Sequence, residues 1–371
     1  MKALKPPESV RGMTKLDKEK FRIQAKIPAS DQLRGFNHIK PVRSTNQWGT
    51  VLLDPEKWNQ QLRESVVKKL KITGVSQWEI LDEAIDVGFD NFSVCDIMSA
   101  VLPENVPVVK GYSFIGHIVH VNLRKEHLPY GKIIGEILLN KLKICRTVVN
   151  KLDTIDNTFR NFNLELLAGE ENYETTVKEG GYSYKFDFSR VFWNPRLATE
   201  HSRIINDYLK ENCVVYDLFA GVGPFAIPAA HPSLKCRVLA NDLNPVSVKY
   251  LRENESLNKV KLAGIYNLDG REFISDVISR DILRMESNRP NTSAHAYGDW
   301  ESNQEENSAK EITTPKQNFD LNFVPAAIHC LMNLPALATE FLTSFRGMLS
   351  KSTQEIELNY PFIVHCYLFS K

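Results

Sequence analysis

The chain has 371 residues, of which 43% are hydrophobic and 25% are charged, and its 46 Lys and Arg residues nearly balance its 45 Asp and Glu residues. This composition is typical of a soluble globular protein with about two to three domains. It neither indicates nor excludes a nucleic-acid partner, because local patches of charge matter more than the total. The six scattered cysteines form no C-x-x-C pair, so we expect free thiols and neither a metal site nor a disulfide framework.

The N-terminal segment carries no sign of a membrane anchor or a secretory signal. No segment of the chain approaches the ~18 apolar residues that a membrane-spanning helix needs. Lys2, Lys5, Arg11 and Lys15 are basic, but no apolar signal core accompanies them. We therefore expect an intracellular protein and leave an organellar pool open. Residues 1–20 are charged and weakly patterned, and we predict that they form a tail.

Two small α+β modules are predicted before residue 191, over residues 21–110 and 111–190. In the first, apolar alternation and helical spacing predict a strand at Thr50–Leu53 and a helix at Trp58–Leu70. In the second, they predict a strand at Ser113–Val121, a helix at His127–Lys141, a strand at Ile144–Val149 and a hairpin within residues 182–193.

Residues 191–371 are predicted to form a third domain, in which strands and helices alternate. Apolar strands are predicted at Cys213–Asp217, Arg237–Ala240, Ala263–Leu268, Ala326–Met332 and Phe362–Leu368. This alternation is typical of a doubly wound parallel sheet. Residues 285–318 interrupt it with a polar segment rich in Ser, Asn and Glu, which we predict to be a disordered loop.

A glycine turn and three acids follow successive strands of the predicted sheet. The segment after the first strand reads Asp217, then Gly221-x-Gly223, and glycines let a backbone bend tightly and approach a ligand closely. Asp242 follows the second strand, where an acid typically binds a ribose diol, and Asp269 follows the third. The alternative is that Asp217 and Asp269 only cap helices.

The glycine turn differs from the known phosphate-binding patterns. Ala226 occupies the place of the third glycine of a dinucleotide fingerprint, and no Gly-Lys-Ser/Thr loop occurs. A ligand with a ribose and without a phosphate fits these residues best, which indicates S-adenosylmethionine.

Several motifs together resemble a known enzyme family. These are D-x-F-A-G-x-G-x-F, N-D-L-N-P, L-D-G-R-E-F, M-N-L-P-A, FWNPRLATEHSRI (192–204) and FRNFNLELLAGE (159–170). They resemble the eukaryotic and archaeal tRNA (guanine-37, N1)-methyltransferases, over roughly residues 20–371. The resemblance implies a class I, Rossmann-like methyltransferase sheet preceded by two smaller tRNA-binding domains. It also implies a monomer that uses S-adenosyl-L-methionine to methylate N1 of guanosine 37 in tRNA, in the cytoplasm, the nucleus and, as an open case, the mitochondrial matrix.

The resemblance also implies roles for individual residues. Glu200 corresponds to the general base, Arg160 to the arginine that stabilises charge on O6, and Asn333 to a further residue of the reaction site. The implied cofactor contacts are His201, Asp217, Phe219, Gly221, Gly223, Asp242, Leu243, Asp269, Gly270, Asn333 and Pro335. The alternatives are that Glu200 is an exposed acid at a helix start, that Arg160 is a surface residue on a strand, and that His201 is a helix N-terminal residue.

Asn333-Leu334-Pro335 marks the end of the predicted fourth strand. Amino-group methyltransferases often have a second proline and an aromatic residue here, and this chain has neither, which favours a ring nitrogen as the methyl acceptor. Two other functions are left open: transfer of the cofactor's aminocarboxypropyl group in tricyclic base synthesis, and a catalytically impaired tRNA-binding form. The impaired form is an alternative because a class I sheet usually has two more strands after the fifth. We expect those C-terminal strands to be missing from a chain that ends at Lys371.

Overall fold

A computed structural model describes residues 8–18, 23–26, 42–44, 49–51, 60–72, 84–152, 163–287, 323–350 and 358–369. The chain divides into two compact units. Unit 1 consists of Met1–Leu152 and Leu164–Asn172, and unit 2 consists of Asp153–Asn163 and Tyr173–Lys371. Within these described ranges, every helix is too short or too polar to cross a membrane.

Unit 1 contains short antiparallel pairs and one mixed sheet. Its strands are β1 (Ile23–Lys26), β2 (Val42–Ser44), β3 (Gly49–Val51), β4 (Ala84–Val87), β5 (Tyr112–Ile115), β6 (Ile118–Val121), β7 (Thr147–Lys151) and β8 (Leu164–Gly169). Its helices are α1 (Gln60–Ile72), α2 (Val94–Val101) and α3 (Gly131–Lys141). Strand β1 pairs with β4 and β2 with β3, while the mixed sheet has the order β5-β6-β7-β8. The predicted helices at 58–70 and 127–141 are confirmed as α1 and α3, the latter preceded by a 3-10 helix at Lys125–Tyr130.

The single strand predicted at Ser113–Val121 is wrong, because this segment folds back on itself. Strands β5 and β6 pair antiparallel, with Ile115 opposite Ile118. Gly116 lies at the turn with φ +58°, a conformation that glycine adopts without steric cost. The apolar residues on both sides of Gly116 hid the turn, since a lone glycine within a strand pattern is a weak signal.

The predicted tail also contains residues that pack in the core of unit 1. Val10 is fully buried in one cluster with Phe92 and Ile134, and the Leu16 backbone N–H donates a hydrogen bond of 2.8 Å to Glu136. Residues 8–18 are therefore part of the packed unit rather than a tail. The same cluster joins residues on both sides of position 110, where we predicted a domain boundary.

Unit 2 contains a hairpin and a five-stranded parallel sheet. Its strands are β9 (Glu174–Glu179), β10 (Tyr182–Asp187), β11 (Val214–Asp217), β12 (Arg237–Asn241), β13 (Gly264–Tyr266), β14 (Ile328–Met332) and β15 (Phe362–Cys366). Its α-helices are α4 (Ala198–Arg203), α5 (Ala226–Ala229), α6 (Pro245–Leu257), α7 (Gly270–Glu272), α8 (Ser279–Ser287) and α9 (Ala338–Phe341). Two π-helical segments, Ile204–Tyr208 and Phe273–Ile278, continue α4 and α7.

The five strands of the doubly wound sheet are confirmed at the predicted places. Their order is β13-β12-β11-β14-β15, and every adjacent pair is parallel. The chain therefore starts at the central strand β11, adds β12 and β13 on one side of it, and then crosses back to add β14 and β15 on the other side. In such sheets ligands bind outside the carboxyl ends of the strands, at the point where the order reverses. Here that point lies between β11 and β14.

The predicted hairpin has a different partner strand from the one expected. Strand β10 pairs with β9, which precedes it, and both belong to unit 2 rather than to the second module. Asn254 of helix α6 and Asn258, the C-cap of that helix, hold this hairpin through their side-chain amides. Asn254 Oδ1 accepts from Lys185 N–H at 2.8 Å and Asn254 Nδ2 donates to Lys185 O at 3.1 Å. Asn258 makes the same pair of bonds to Ser183, so the two amides act as a substitute partner strand.

The predicted disordered loop at residues 285–318 begins in a helix. Helix α8 extends to Ser287, with Met285 and Glu286 buried, and Glu286 Oε1 accepts a hydrogen bond from the Tyr360 hydroxyl at 2.5 Å. Residues 288–318 lie outside the described residues. The expectation that the two C-terminal strands of a class I sheet are missing stays a prediction.

Candidate active site

Gly221 and Gly223 shape the turn that follows β11. Both have positive φ values, +55° and +102°. A Cβ added at Gly223 would lie 2.6 Å from Leu251 Cδ1 and 2.7 Å from Ile227 Cγ1, so this glycine allows helix α6 to pack closely. A Cβ at Gly221 would meet no described atom within 4 Å. Gly221 therefore leaves open space beside the turn, and its conformation rather than its packing favours glycine.

Asp242 is bonded to this turn. Its Oδ2 accepts from Gly221 N–H at 2.8 Å and its Oδ1 accepts from Asn244 N–H, also at 2.8 Å. Burial raises the pKa of Asp242 to about 6, and these two N–H groups oppose the rise. Asn267 Nδ2 donates to the carbonyls of Asp242 and Leu243 at 2.8 and 2.9 Å, which fixes the loop. Each carboxylate oxygen keeps a second lone pair for a ligand.

Asp217, the last residue of β11, is a buried carboxylic acid without a normal hydrogen bond. It is fully buried, and neither of its oxygens has a hydrogen-bond partner among the described residues. Burial, and then the charge of Asp242, raise the pKa of Asp217 to about 8, while the backbone N–H groups of Phe219 and Ala226 act in the opposite direction. Buried polar groups are normally paired, so this orphaned carboxyl is the kind of group that a bound ligand satisfies.

Asp269 does cap a helix, as the alternative interpretation stated. Its Oδ1 accepts from the Arg271 N–H at 2.8 Å, at the start of α7. Gly270 follows, and a Cβ there would lie 2.9 Å from Phe341 and 3.0 Å from Phe219. The rings of Phe219 and Phe341 pack edge to face, with 4.9 Å between their centroids. Asp269 and Gly270 therefore shape the wall of the site beside an aromatic pair.

Asn241 is a structural residue of the site that the sequence analysis missed. Its Nδ2 donates to the carbonyls of Leu218 and Leu268, at 3.1 and 3.0 Å, and its Oδ1 accepts from the Leu268 N–H at 2.9 Å. One buried amide thus ties together the loops that follow β11 and β13. Its place directly before Asp242 at the end of a strand is the signal that could have identified it.

Asn333 and Pro335 lie at the carboxyl end of β14. The Leu334 carbonyl accepts from the N–H groups of Leu337 and Ala338, both at 2.8 Å, so Pro335 lies within a turn that leads into α9. Asn333 is partly exposed. The preceding strand is bonded to the end of β11, since Leu218 N–H donates to Leu331 O at 3.0 Å. The structure therefore brings Asn333 to the same end of the sheet as Asp217.

Glu200, in helix α4, is held by two residues that the sequence analysis did not single out. Arg203 donates to both of its oxygens, from Nε at 2.7 Å and from Nη2 at 2.6 Å. The Tyr367 hydroxyl donates to Oε1 at 2.8 Å. The bond from Arg203 is the main cause that lowers the pKa of Glu200 below its ordinary value. Tyr367 N–H donates to Met332 O at 3.2 Å, so Tyr367 connects Glu200 to the strand that ends at Asn333.

His201 is a buried histidine, paired on one side of its ring. Its Nδ1 lies 2.6 Å from Glu179 Oε1, and its ring packs edge to face on Phe225 at 4.6 Å. Its Nε2 has no partner within the described ranges. The Phe225 ring lies in turn 5.9 Å from the Tyr367 ring. His201 is therefore an inward-facing residue next to Glu200, within the N-terminal part of α4.

Two predicted site residues add little to this geometry. Arg160 lies outside the described residues. Leu243, directly after Asp242, is 40% exposed, which leaves its side chain accessible at the edge of the site.

Two family models match the chain. The model described as the TRM5/TYW2 methyltransferase domain matches residues 175–297, and the model described as the TYW2 N-terminal domain matches residues 94–172. The first match begins in β9, at the start of the main part of unit 2, and the second ends at the last residue of unit 1. Unit 2 therefore contains the methyltransferase domain.

Curated relatives match essentially the whole chain. The tRNA (guanine(37)-N(1))-methyltransferase of Drosophila melanogaster is 38% identical over 396 residues, covering 100% of this chain and 77% of that protein. The Homo sapiens protein of the same name is 36% identical over 387 residues, covering 99% of this chain and 69% of that protein. Among solved structures, the complex of aTrm5 and tRNALeu has a TM-score of 0.55 at 21% identity, covering 88% of this chain and 83% of that chain, and it shares the fold. By these relatives, the chain belongs to the tRNA (guanine(37)-N(1))-methyltransferase family.

Proposed function

We propose that the chain transfers a methyl group from S-adenosyl-L-methionine to N1 of guanosine 37 in tRNA, at the carboxyl end of the unit 2 sheet. The orphaned buried carboxyl of Asp217, one strand away from Asn333, carries this choice of site. The names of the relatives support methyl transfer over the aminocarboxypropyl alternative. The aTrm5 protein, whose fold the chain shares, forms a complex with tRNALeu, which supports tRNA as the partner.

S-adenosyl-L-methionine fits the glycine turn and the carboxyl groups around it. Asp242 offers a free lone pair on each oxygen for the ribose hydroxyls, and Asp217 offers a buried carboxyl for the cationic end of the donor. The other residues proposed to line this site are His201, Phe219, Gly221, Gly223, Leu243, Asp269, Gly270, Asn333 and Pro335. When bound, the cofactor supplies an electrophilic methyl group on a sulfonium.

Glu200 is the proposed general base. N1 of guanine carries a proton at neutral pH, and a positioned acceptor for it typically contributes ~10²–10⁴-fold in rate. Glu200 is ionised at neutral pH and can accept a proton, because a carboxyl is ionised there at its ordinary pKa and Arg203 lowers the pKa of Glu200 further. The Tyr367 hydroxyl fixes one of its oxygens, which supports a defined direction of proton transfer.

Arg160 and Asn333 are proposed to bind the guanine edge. Loss of the N1 proton leaves negative charge on O6, and a fixed cation there stabilises the transition state. The role of Arg160 rests on the resemblance around FRNF, because the residue lies outside the described residues. Asn333 can donate and accept hydrogen bonds through one amide.

Single-turnover assays with unmodified tRNA test these roles. Glu200→Gln is expected to keep tRNA binding and lose most of its turnover, whereas Glu211→Gln, at an exposed acid paired with Lys235, is the control. Near-normal turnover of Glu200→Gln would remove Glu200 as the base. Arg160→Ala is expected to slow the chemical step, and a change in tRNA affinity alone would rule out the O6 role. Asp242→Ala is expected to weaken cofactor binding, and an unchanged dissociation constant would contradict the ribose contact.

The monomeric state and the location in the cytoplasm, nucleus and mitochondrial matrix stay predictions of the resemblance. Light scattering of the purified chain and fractionation of cells measure them directly.

A further inference from the structure

Arg203 makes three hydrogen bonds with its guanidinium group and remains partly exposed. Two go to Glu200, and the third runs from Nη1 to the Tyr208 hydroxyl at 3.0 Å. The guanidinium carbon also lies 5.1 Å from the centre of the Tyr208 ring. The contacts among the described residues use three of its five N–H groups, and 44% of the Arg203 side chain is exposed. A further acceptor can therefore reach this group from solvent.

The pairing of Glu200 with Arg203 opposes the chemistry proposed for Glu200. A carboxylate that accepts two hydrogen bonds from one guanidinium is stabilised in its ionised form, and its pKa falls. A general base works best when its basicity approaches that of the group it deprotonates. Glu200 is thus held ready in the right charge state but with weakened basicity, as long as Arg203 remains on it.

The substrate supplies a competing partner for Arg203. A guanidinium fork matches a phosphate as well as a carboxylate, because both present two oxygens to parallel N–H groups. The tRNA backbone brings a phosphate with every nucleotide, and the target base must leave its stack to reach the sheet. Tyr208, which supports Arg203 on its other side, is 43% exposed, so this surface is open to a backbone that approaches Glu200.

We propose that Arg203 is a phosphate-binding residue that exchanges Glu200 for a tRNA backbone phosphate when the substrate binds. The proposal rests on the proposed role of Glu200 as the base. In the free protein Arg203 pairs with the ionised base and weakens its basicity. In the complex it binds the phosphate, and Glu200 keeps only the Tyr367 hydroxyl, which positions its Oε1. Substrate binding then strengthens the base at the moment it is needed, and the base stays weak when no tRNA is bound.

The test compares Arg203→Met with the wild type in tRNA binding over a range of salt concentrations and in single-turnover methylation. The variant is expected to reduce the slope of log K against log[salt] by about one, since one phosphate contact is lost. The KM for tRNA is expected to rise about tenfold, the scale of one lost charged hydrogen-bond pair. The rate at saturating tRNA is expected to stay within about threefold of the wild type, because Glu200 does not need Arg203 during the chemical step.

Three further variants separate the outcomes. Arg280→Met is the matched control, because Arg280 is 79% exposed and pairs with Asp276 one turn earlier. It is expected to change neither the salt slope nor the KM for tRNA. Arg203→Lys keeps one positive charge and is expected to restore the salt slope. An unchanged salt slope in Arg203→Met, or a saturated rate as low as that of Glu200→Gln, would overturn the exchange. If Glu200→Gln itself turned over normally, the proposed base would fail, whatever Arg203 does.

Discussion

The Asp217 carboxyl is expected to release a proton when S-adenosyl-L-methionine binds. Burial and the charge of Asp242 raise its pKa to about 8 in the free protein, which corresponds to about 0.9 bound protons at pH 7 and about 0.1 at pH 9. A cationic group placed beside Asp217 favours the ionised form and lowers its pKa. Binding should therefore release about 0.9 protons at pH 7 and almost none at pH 9, if the bound pKa falls well below 7.

Calorimetry in two buffers with different ionisation enthalpies measures this number. Asp217→Asn should bind the cofactor more weakly and release no proton from this site. Subtracting the proton release of the variant from that of the wild type removes any proton that the cofactor itself exchanges. Asp242→Asn is the control, since a carboxyl with a pKa of about 6 is mostly ionised at pH 7 already. Asp242→Asn should bind the cofactor more weakly but keep most of the proton release, because burial, the larger cause of the raised pKa of Asp217, remains. Equal proton release by the wild type and Asp217→Asn would refute this account of the cofactor site.

Three further predictions concern stability. Asp217→Asn without cofactor should have a higher melting temperature than the wild type at pH 9, and the difference should be smaller at pH 5. The buried acid is favoured in its protonated form, so the wild type loses stability as pH rises from 3.8, the ordinary pKa, to about 8, the pKa in the folded state. An equal difference in melting temperature at both pH values would contradict this. Gly223→Ala should cost ~1–3 kcal/mol in urea unfolding through its positive φ and its contact with Leu251. Gly181 also has a positive φ, +87°, but no described atom lies within 4 Å of an added Cβ, so Gly181→Ala should destabilise the fold less than Gly223→Ala. A larger loss of stability in Gly181→Ala would contradict the contribution of packing at Gly223. Asn254→Ala should cost about 3 kcal/mol, since it leaves the buried Val222 carbonyl and the Lys185 backbone without their amide partner; a loss below about 0.5 kcal/mol would show that the amides do not hold the hairpin.

The parallel sheet could be predicted from sequence because its central strands are buried on both faces. All four residues of β11 are buried, and so are all five of β14, which gives mostly apolar runs, interrupted in β14 by His329, that end at a polar residue. Asp217 and Asn333 stood out as the polar residues at the ends of these runs. The hairpin at Gly116 and the pairing of β9 with β10 left weaker signals, since the less exposed positions of β9 are Thr175, Val177 and Glu179 rather than large apolar residues.

The surroundings of Glu200 could not be predicted, because they depend on residues distant in sequence. Tyr367 is 167 positions away, and only the parallel register of β15 with β14 brings it next to Glu200. The pairing of His201 with Glu179 likewise depends on the hairpin, whose partner strand was predicted incorrectly. Motifs locate candidate reactive groups, whereas the pKa of each group depends on neighbours that only the fold supplies.

The central claim is that this chain methylates N1 of guanosine 37. The most direct measurement incubates it with unmodified tRNA and methyl-labelled S-adenosyl-L-methionine, and then identifies the nucleosides and their positions by mass spectrometry. We predict one labelled 1-methylguanosine at position 37. An aminocarboxypropyl adduct, a methyl group at another atom or position, or no modified nucleoside despite normal binding of both tRNA and cofactor would contradict the claim.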